Sequence, residues 1–381
     1  MEENLILNKL RDKYKEKMKD INNAEDLLNK YNPWTNKKIE ALSKDFFEAL
    51  ENDKEFSWLQ IFDEKNFEFF QSLEKKELSN DYYIPTHVHG DIDKSNLFLC
   101  LVNPNINLEV ESSESIKNFY KRAYKYTITQ KEEDRNESLL IINENDEIIK
   151  NTSFIEDYII NIKEDSSIFY NEIKFFERYG KMKYYLKTYL KSILSTYVNA
   201  SSLSIEELNN ILVSSLKGNA ENVRFSDIEN MTKKITNLEA YPFGSSLPQI
   251  TRIESQKIKR FSNQIIDSYT NLNMLSSRIV IWKIADYLIN KDYENKTKPI
   301  FIFRRFDDAW LPPLKKVLKK DLNLNEDYED ILFELHENFF LTIGRQDNNI
   351  PYSISKNLFK NNNKISEKEF DSIIRKSIID N

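Results

Sequence analysis

The chain has 381 residues, 40% of them hydrophobic and 13% aromatic, which is enough to bury one large core or two. Five glycines and nine prolines exclude collagen-like, linker-rich and low-complexity architectures, which are built from those two residues. The net charge of −7 is unevenly spread: residues 131–165 alone carry −7, while residues 251–320 hold fifteen Lys or Arg against seven Asp or Glu, a polarity that permits a local site for a polyanion.

The first eighty residues read as a helical lobe, in which Leu42, Phe46 and Leu50 recur at the helical spacing. Their opening stretch is charged throughout, and no apolar run reaches the roughly 18 residues that span a bilayer. A soluble, cytoplasmic chain without membrane contact is expected. Pro85 and Gly90 then break the helical pattern around THVHGDID. His87 and His89, two apart on an extended segment, could share a cation with Asp91 or Asp93, but the only other histidine is His336, and a hydrogen-bonded loop before a strand is the alternative. No metal and no cofactor are assigned.

Asn96 to Asn103 reads NLFLCLVN, a short continuous apolar run of the kind shown by a strand buried on both faces, and it stops at Pro104. Cys100 lies inside it, so a buried structural thiol is expected; a lone cysteine makes neither an intrachain disulfide nor a cysteine-rich zinc site. About 130 residues follow before the next such run, far more than a crossover needs, and imply a mainly helical insertion over about 111–230. Within it SLLIIN, at Ser138–Asn143, is a candidate strand of the insertion or an edge strand. Lys183, Lys187 and Lys191 share a helical face with Tyr185 and Tyr189 beside it, an arrangement that suits either phosphate contact with stacking or a solvated surface.

A second apolar run, ITNLEAYPF, covers Ile235–Phe243 and ends at Gly244. Ile258, Phe261 and Ile265, then Val280, Ile284 and Leu288, give helical periodicity up to the third run, PIFIFR, at Pro299–Arg304. Lys315, Lys316, Lys319 and Lys320 come next, and a fourth run, FFLTI, ends at Ile343. Strand, helix and strand in alternation predict an α/β domain over 81–381, with a small parallel sheet of four strands covered by helices.

In open parallel sheets, ligands bind beyond the carboxyl ends of the strands. The segments to examine are therefore Asn103-Pro104-Asn105, Tyr241 to Ser246, Arg304-Arg305 and Gly344 to Asn349. The order LFLCLVNPN, LEAYPFGSS, PIFIFRRFDDAW and FFLTIGRQDNNIPYSISKNLF resembles the uracil-DNA glycosylase superfamily, in particular members with Asn-Pro-Gly after the first strand. It covers roughly Pro85–Val110 and Asn230–Phe359.

That resemblance implies a DNA glycosylase-like enzyme that excises an ordinary or modified base. Asn103 matches the residue that places the attacking water, and Pro104 the proline after it. The stretch Tyr241 to Ser245 matches the strand end that helps recognise the base, with Phe243 and Tyr120 as candidate stacking rings and Ser245 beside them. GRQDNNIPYS takes the place of the last motif but holds no histidine, so Gln346, Asn348 or Asn349 would donate to the base. Arg304, Arg305 and Lys315, Lys316, Lys319 and Lys320 are the candidate DNA contacts. Two departures, Asn105 where glycine is usual and the missing histidine, keep open a non-catalytic nucleic-acid-binding or sensing protein on the same scaffold. DNA, including modified phage DNA in a defence role, is the expected partner.

Cleavage of an N-glycosidic bond passes through an oxocarbenium-like sugar and a departing base anion. It therefore needs a positioned water and donors toward the base more than it needs a strong base. No phosphate-cradling GxxxxGKS, no GxGxxG and no GxSxG elbow occurs in the sequence.

Overall fold

The computed structural model describes residues 5–35, 37–52, 54–61, 83–104, 141–142, 148–149, 152–200, 202–220, 223–244, 261–290, 296–343, 358–361 and 363–379. The chain opens with helices α1 (Leu5–Lys17), α2 (Ala24–Tyr31) and α3 (Lys37–Asn52), then strands β1 (Val88–His89) and β2 (Leu97–Leu101). The insertion contains β3 (Ile141–Ile142), β4 (Ile148–Ile149), α4 (Thr152–Ile159), β5 (Ile160–Asn161) and α5 (Ile168–Tyr179). A π-helical turn, Leu186–Leu190, leads directly into α6 (Lys191–Tyr197), followed by α7 (Ile205–Leu216) and α8 (Phe225–Lys233). The remainder is β6 (Ile235–Glu239), α9 (Phe261–Asp267), α10 (Asn271–Asn290), β7 (Ile300–Phe303), α11 (Leu311–Lys316), α12 (Tyr328–Asn338), β8 (Phe340–Ile343), β9 (Leu358–Lys360), β10 (Asn363–Lys364) and α13 (Glu367–Ile374).

Local chemistry sets several of these ends. The Asn23 side chain accepts from the Asp26 N–H at the start of α2. Ser204 and Glu207 form a reciprocal capping box at α7, and Gly180 closes α5 in the left-handed region.

The four apolar runs form the strands β2, β6, β7 and β8, and these lie side by side and mutually parallel. The sheet is nonetheless not a four-stranded parallel one. It has eight strands in the order β10-β9-β8-β7-β2-β6-β1-β5, with β1 antiparallel to β6, β9 antiparallel to β8 and β10 antiparallel to β9. The physical reason is that β1, β5 and β10 have two residues each, too few to carry any periodicity, and they join through pairings set by tertiary structure. SLLIIN contributes β3, which pairs with β4 in a separate two-stranded sheet.

Every residue of β2 is buried, and its alternating side chains serve two cores. Phe98 and Cys100 face a cluster with α1, α2, α3, α10 and α12; Leu97, Leu99 and Leu101 face another with α5, the π turn, α6, α7, α8 and α13. The N-terminal helices thus share a core with one face of the sheet. Each core side chain removed from water contributes about 1.5–3 kcal/mol, so helices on both faces are required for a strand of this composition. Across α10, the buried pair Arg278 Nε to Asp321 (2.7 Å) ties that helix to the middle of the β7–β8 connection, with the guanidinium 4.1 Å from the Tyr31 ring.

Gly90 turns the chain from β1 toward β2 at φ +118°. A methyl group there would meet Thr236 Oγ1 at 2.6 Å and Thr236 Cα at 2.8 Å, on the strand alongside. Gly90→Ala should therefore cost about 2 kcal/mol or more, through both overpacking and the backbone angle. Denaturant titration should show a lower midpoint with an unchanged slope.

Candidate functional site

The four parallel strands run second, first, third, fourth across the sheet, β6-β2-β7-β8. Connections leave to opposite sides of β2 and β7 in such an order, and the crevice between their carboxyl ends is the place where ligands bind in open α/β sheets. Asn103 follows β2 and Arg304 follows β7, so both fall at this point. Leu101 pairs with Glu239 of β6, and the Arg304 N–H bonds the Cys100 carbonyl at 2.9 Å. Alternation along the strands puts Glu239, Leu101 and Arg304 on the same face, that of Leu97, Leu99 and Ile302.

Three groups give this edge its chemistry. Arg304 is half-buried, and its Nη1 donates to the Tyr189 hydroxyl at 3.3 Å. Glu239 is fully buried, and its Oε1 accepts from Asn237 Nδ2 at 2.9 Å, while Oε2 has no hydrogen-bond partner. Burial pushes the Glu239 carboxyl up to about 8, against the opposing pull of the Asn237 bond and the Arg304 charge, so at neutral pH it keeps its proton. Asn103 is half-buried, with its Nδ2 donating to the Pro104 carbonyl at 3.0 Å, and Pro104 is buried.

A ladder of tyrosines covers the same edge. The Tyr189 ring lies 6.0 Å from that of Tyr185 and 6.2 Å from that of Tyr184. Glu172 on α5 fixes this segment by accepting the backbone N–H groups of Tyr185 (3.1 Å) and Leu186 (2.7 Å). Burial raises its carboxyl to about 7, opposed by those two bonds and by Lys183 and Lys187. The π turn it anchors is a form often found at functional sites.

The other expected site residues are placed as follows. Phe243 is fully buried on the opposite face, its ring centroid 6.1 Å from Trp34 and 5.3 Å from Tyr241, so protein already packs the ring expected to stack on a base. Arg305 adopts the left-handed conformation at φ 50°, unusual for a long side chain, and its Nε pairs with Asp308 at 3.2 Å. Lys316 donates to the carbonyls of Asp267 and Ser268 at the end of α9. Lys319 and Lys315 lie over the Tyr328 ring at 3.7 and 5.9 Å, and Lys320 over Tyr269 at 4.5 Å. Three of the four lysines are thus divided between two aromatic neighbours, and Lys316 is held by backbone carbonyls. Tyr120, Ser245, Gln346, Asn348 and Asn349 lie outside the described residues.

His87 and His89 are held by the protein itself. Trp34 Nε1 donates to His87 Nδ1 at 3.0 Å, and His89 Nε2 meets the Tyr158 carbonyl at 2.8 Å. Burial lowers both imidazoles, to about 3 and about 4. Among the described residues no group of three His, Cys, Asp or Glu side chains could hold a metal ion.

Sequence reasoning missed Glu239 and Glu172. A signal for the first was present, since a single carboxylate inside the buried run ITNLEAYPF must either find a partner or stay neutral.

No protein-family model, no curated protein and no solved structure matches this chain. The structure is that of an α/β protein with polar residues and a group of tyrosines at the carboxyl ends of its parallel strands.

The raised Glu239 carboxyl links stability to pH. Below about 4.5 the carboxyl is protonated in both folded and unfolded chains; between about 4.5 and about 8 the unfolded chain loses a proton that the folded one keeps, so stability falls as pH rises through that window. Glu172 acts with the same sign up to about 7. Glu239→Gln should remove part of this slope, leaving the variant more stable relative to wild type at pH 8 than at pH 5. Denaturation midpoints at the two values check this, and parallel curves would mean that Glu239 is ionised in the fold.

Proposed function

We propose that this chain is a DNA glycosylase-like hydrolase that releases a base from DNA by cleaving the N-glycosidic bond at the carboxyl edge of its parallel sheet. The observation that carries the proposal is the coincidence, at the β2/β7 switch point, of Asn103, Arg304 and the neutral Glu239 on adjacent strand ends. An asparagine amide orients water without removing its proton, which suits attack on an oxocarbenium-like sugar. Arg304 supplies positive charge where the departing base becomes anionic, in a half-buried position where that charge is weakly screened. Glu239 acts as a positioning residue. Neutral at pH 7, it leaves the Arg304 charge available to an anion in a way that a buried carboxylate would not.

Overall, water adds its hydroxyl to the sugar carbon as the carbon–nitrogen bond breaks, and its proton ends on the released base. Free base and an alkali-labile abasic site are the products, with no strand break. The motif departures at Asn105 and GRQDNNIPYS make DNA with modified pyrimidines, such as phages carry, a better first substrate than uracil-containing DNA alone.

Asn103→Ala should leave folding and DNA affinity nearly unchanged and lower the single-turnover rate of base release by about 100-fold, since its benefit falls mainly in the transition state. Release of free base, followed by chromatography over a panel of modified and unmodified DNAs, checks this. Binding to these DNAs with no base released from any of them would make the chain a nucleic-acid sensor instead. Full activity in Asn103→Ala would remove Asn103 from the mechanism.

A further inference from the structure

The segment between α5 and α6 carries a charge pattern that the fold does not require. From Arg178 to Ile205 there are five cations, Arg178, Lys181, Lys183, Lys187 and Lys191, and no acid, in a chain whose net charge is −7. Glu172 faces Lys183 and Lys187 from beneath, but it is buried and retains its proton up to about 7. Most of these cations are exposed; Lys191 is half-buried.

Aromatic rings are interleaved with them. Tyr179 and Tyr184 are each 37% exposed, among the few large hydrophobic side chains exposed in the described residues. The Arg178 guanidinium lies 5.2 Å from the Tyr179 ring and the Lys183 ammonium 3.7 Å from the Phe175 ring, so cations and ring faces alternate along this surface. Tyr184 also leads inward. Its ring meets that of Tyr189 at 6.2 Å, and Tyr189 accepts from Arg304 at the switch point. Contacts through the buried Tyr189 therefore link this surface to the candidate site.

We infer that this face binds single-stranded nucleic acid, with Lys187 and Lys191 contacting phosphates and the exposed Tyr184 ring stacking a base. Basic side chains alone would suit any polyanion. The partly exposed rings favour unpaired bases, because the bases of a duplex are stacked on one another and cannot lie flat on a tyrosine. The binding surface stands on its own observations. The direction of the strand toward Arg304 rests on the function proposed above for the carboxyl edge.

Fluorescence anisotropy of a labelled oligothymidylate of about 16 nucleotides, and of a duplex of the same length, over a salt series tests the inference. The single strand should bind more tightly. Tyr184→Ala should weaken it about 5- to 100-fold, while Tyr184→Phe, which keeps the ring, should retain it. Lys187→Gln with Lys191→Gln should lower the log–log salt slope by about 1.4, for two single-strand phosphate contacts. Circular dichroism of each variant separates lost binding from lost folding. Equal affinity for duplex, an unchanged affinity in Tyr184→Ala, or binding confined to anionic vesicles would overturn the inference. Single-strand binding without base release leaves it standing and removes only the hydrolase; base release with no change in binding on altering Tyr184 does the reverse.

Discussion

Five residues in the middle of the sheet, Leu97–Leu101, have no polar face to give to water, and their side chains alternate between two hydrophobic cores. A strand of that kind is stable only with a strand on each side and helices on both faces. Its neighbours β6 and β7 supply the first, with Leu97 opposite both Ile235 and Ile300. The N-terminal helices with α4 and α10 to α12 on one face, and α5 to α8 with α13 on the other, supply the second. Because all four central strands run the same way, their carboxyl ends gather on one edge, and the polar residues that end the apolar runs gather there with them.

Three polar groups at that edge depart from local rules, as the left-handed Asn199, Asn323 and Asn361 and the unpartnered His87 Nε2 do elsewhere. Glu239 is a buried acid with an unsatisfied oxygen, Glu172 is a buried acid that accepts only backbone N–H groups, and Arg305 holds a left-handed backbone angle. Each departure costs stability, and such departures collect at functional sites when the surrounding structure enforces them. Elsewhere the buried charges are paired, as Arg278 is with Asp321, or hydrogen-bonded, as Lys283 is to the Asp93 carbonyl. No helix among the described residues is long and apolar enough to cross a membrane.

The four central strands were legible because a continuous apolar run bounded by Pro or Gly leaves few alternatives, but the punctuation overshot the end of β6, which stops at Glu239 and not at Phe243. The outer strands were not, since the pairing of Val88–His89 with β6 depends on contacts about 150 residues apart, which periodicity cannot register. Helical spacing identified the N-terminal helices without saying what they cover. Phe243 illustrates the limit for a site: its place after a strand pointed to the edge, but only the packing of Trp34 and Tyr241 shows which face it occupies. Lys316 is similar, for its partners are carbonyls at positions 267 and 268 that close a helix.

The central claim is that nucleic acid lies along the carboxyl edge of the parallel strands. Photo-crosslinking of the intact protein to a single-stranded oligonucleotide carrying a photoreactive base, with the attached peptides identified by mass spectrometry, tests it most directly. The account predicts crosslinks in the peptides that contain Asn103, Tyr184 and Arg304. Crosslinks confined to α1, α2 or α13, or none above the level given by a non-binding control protein, would contradict it.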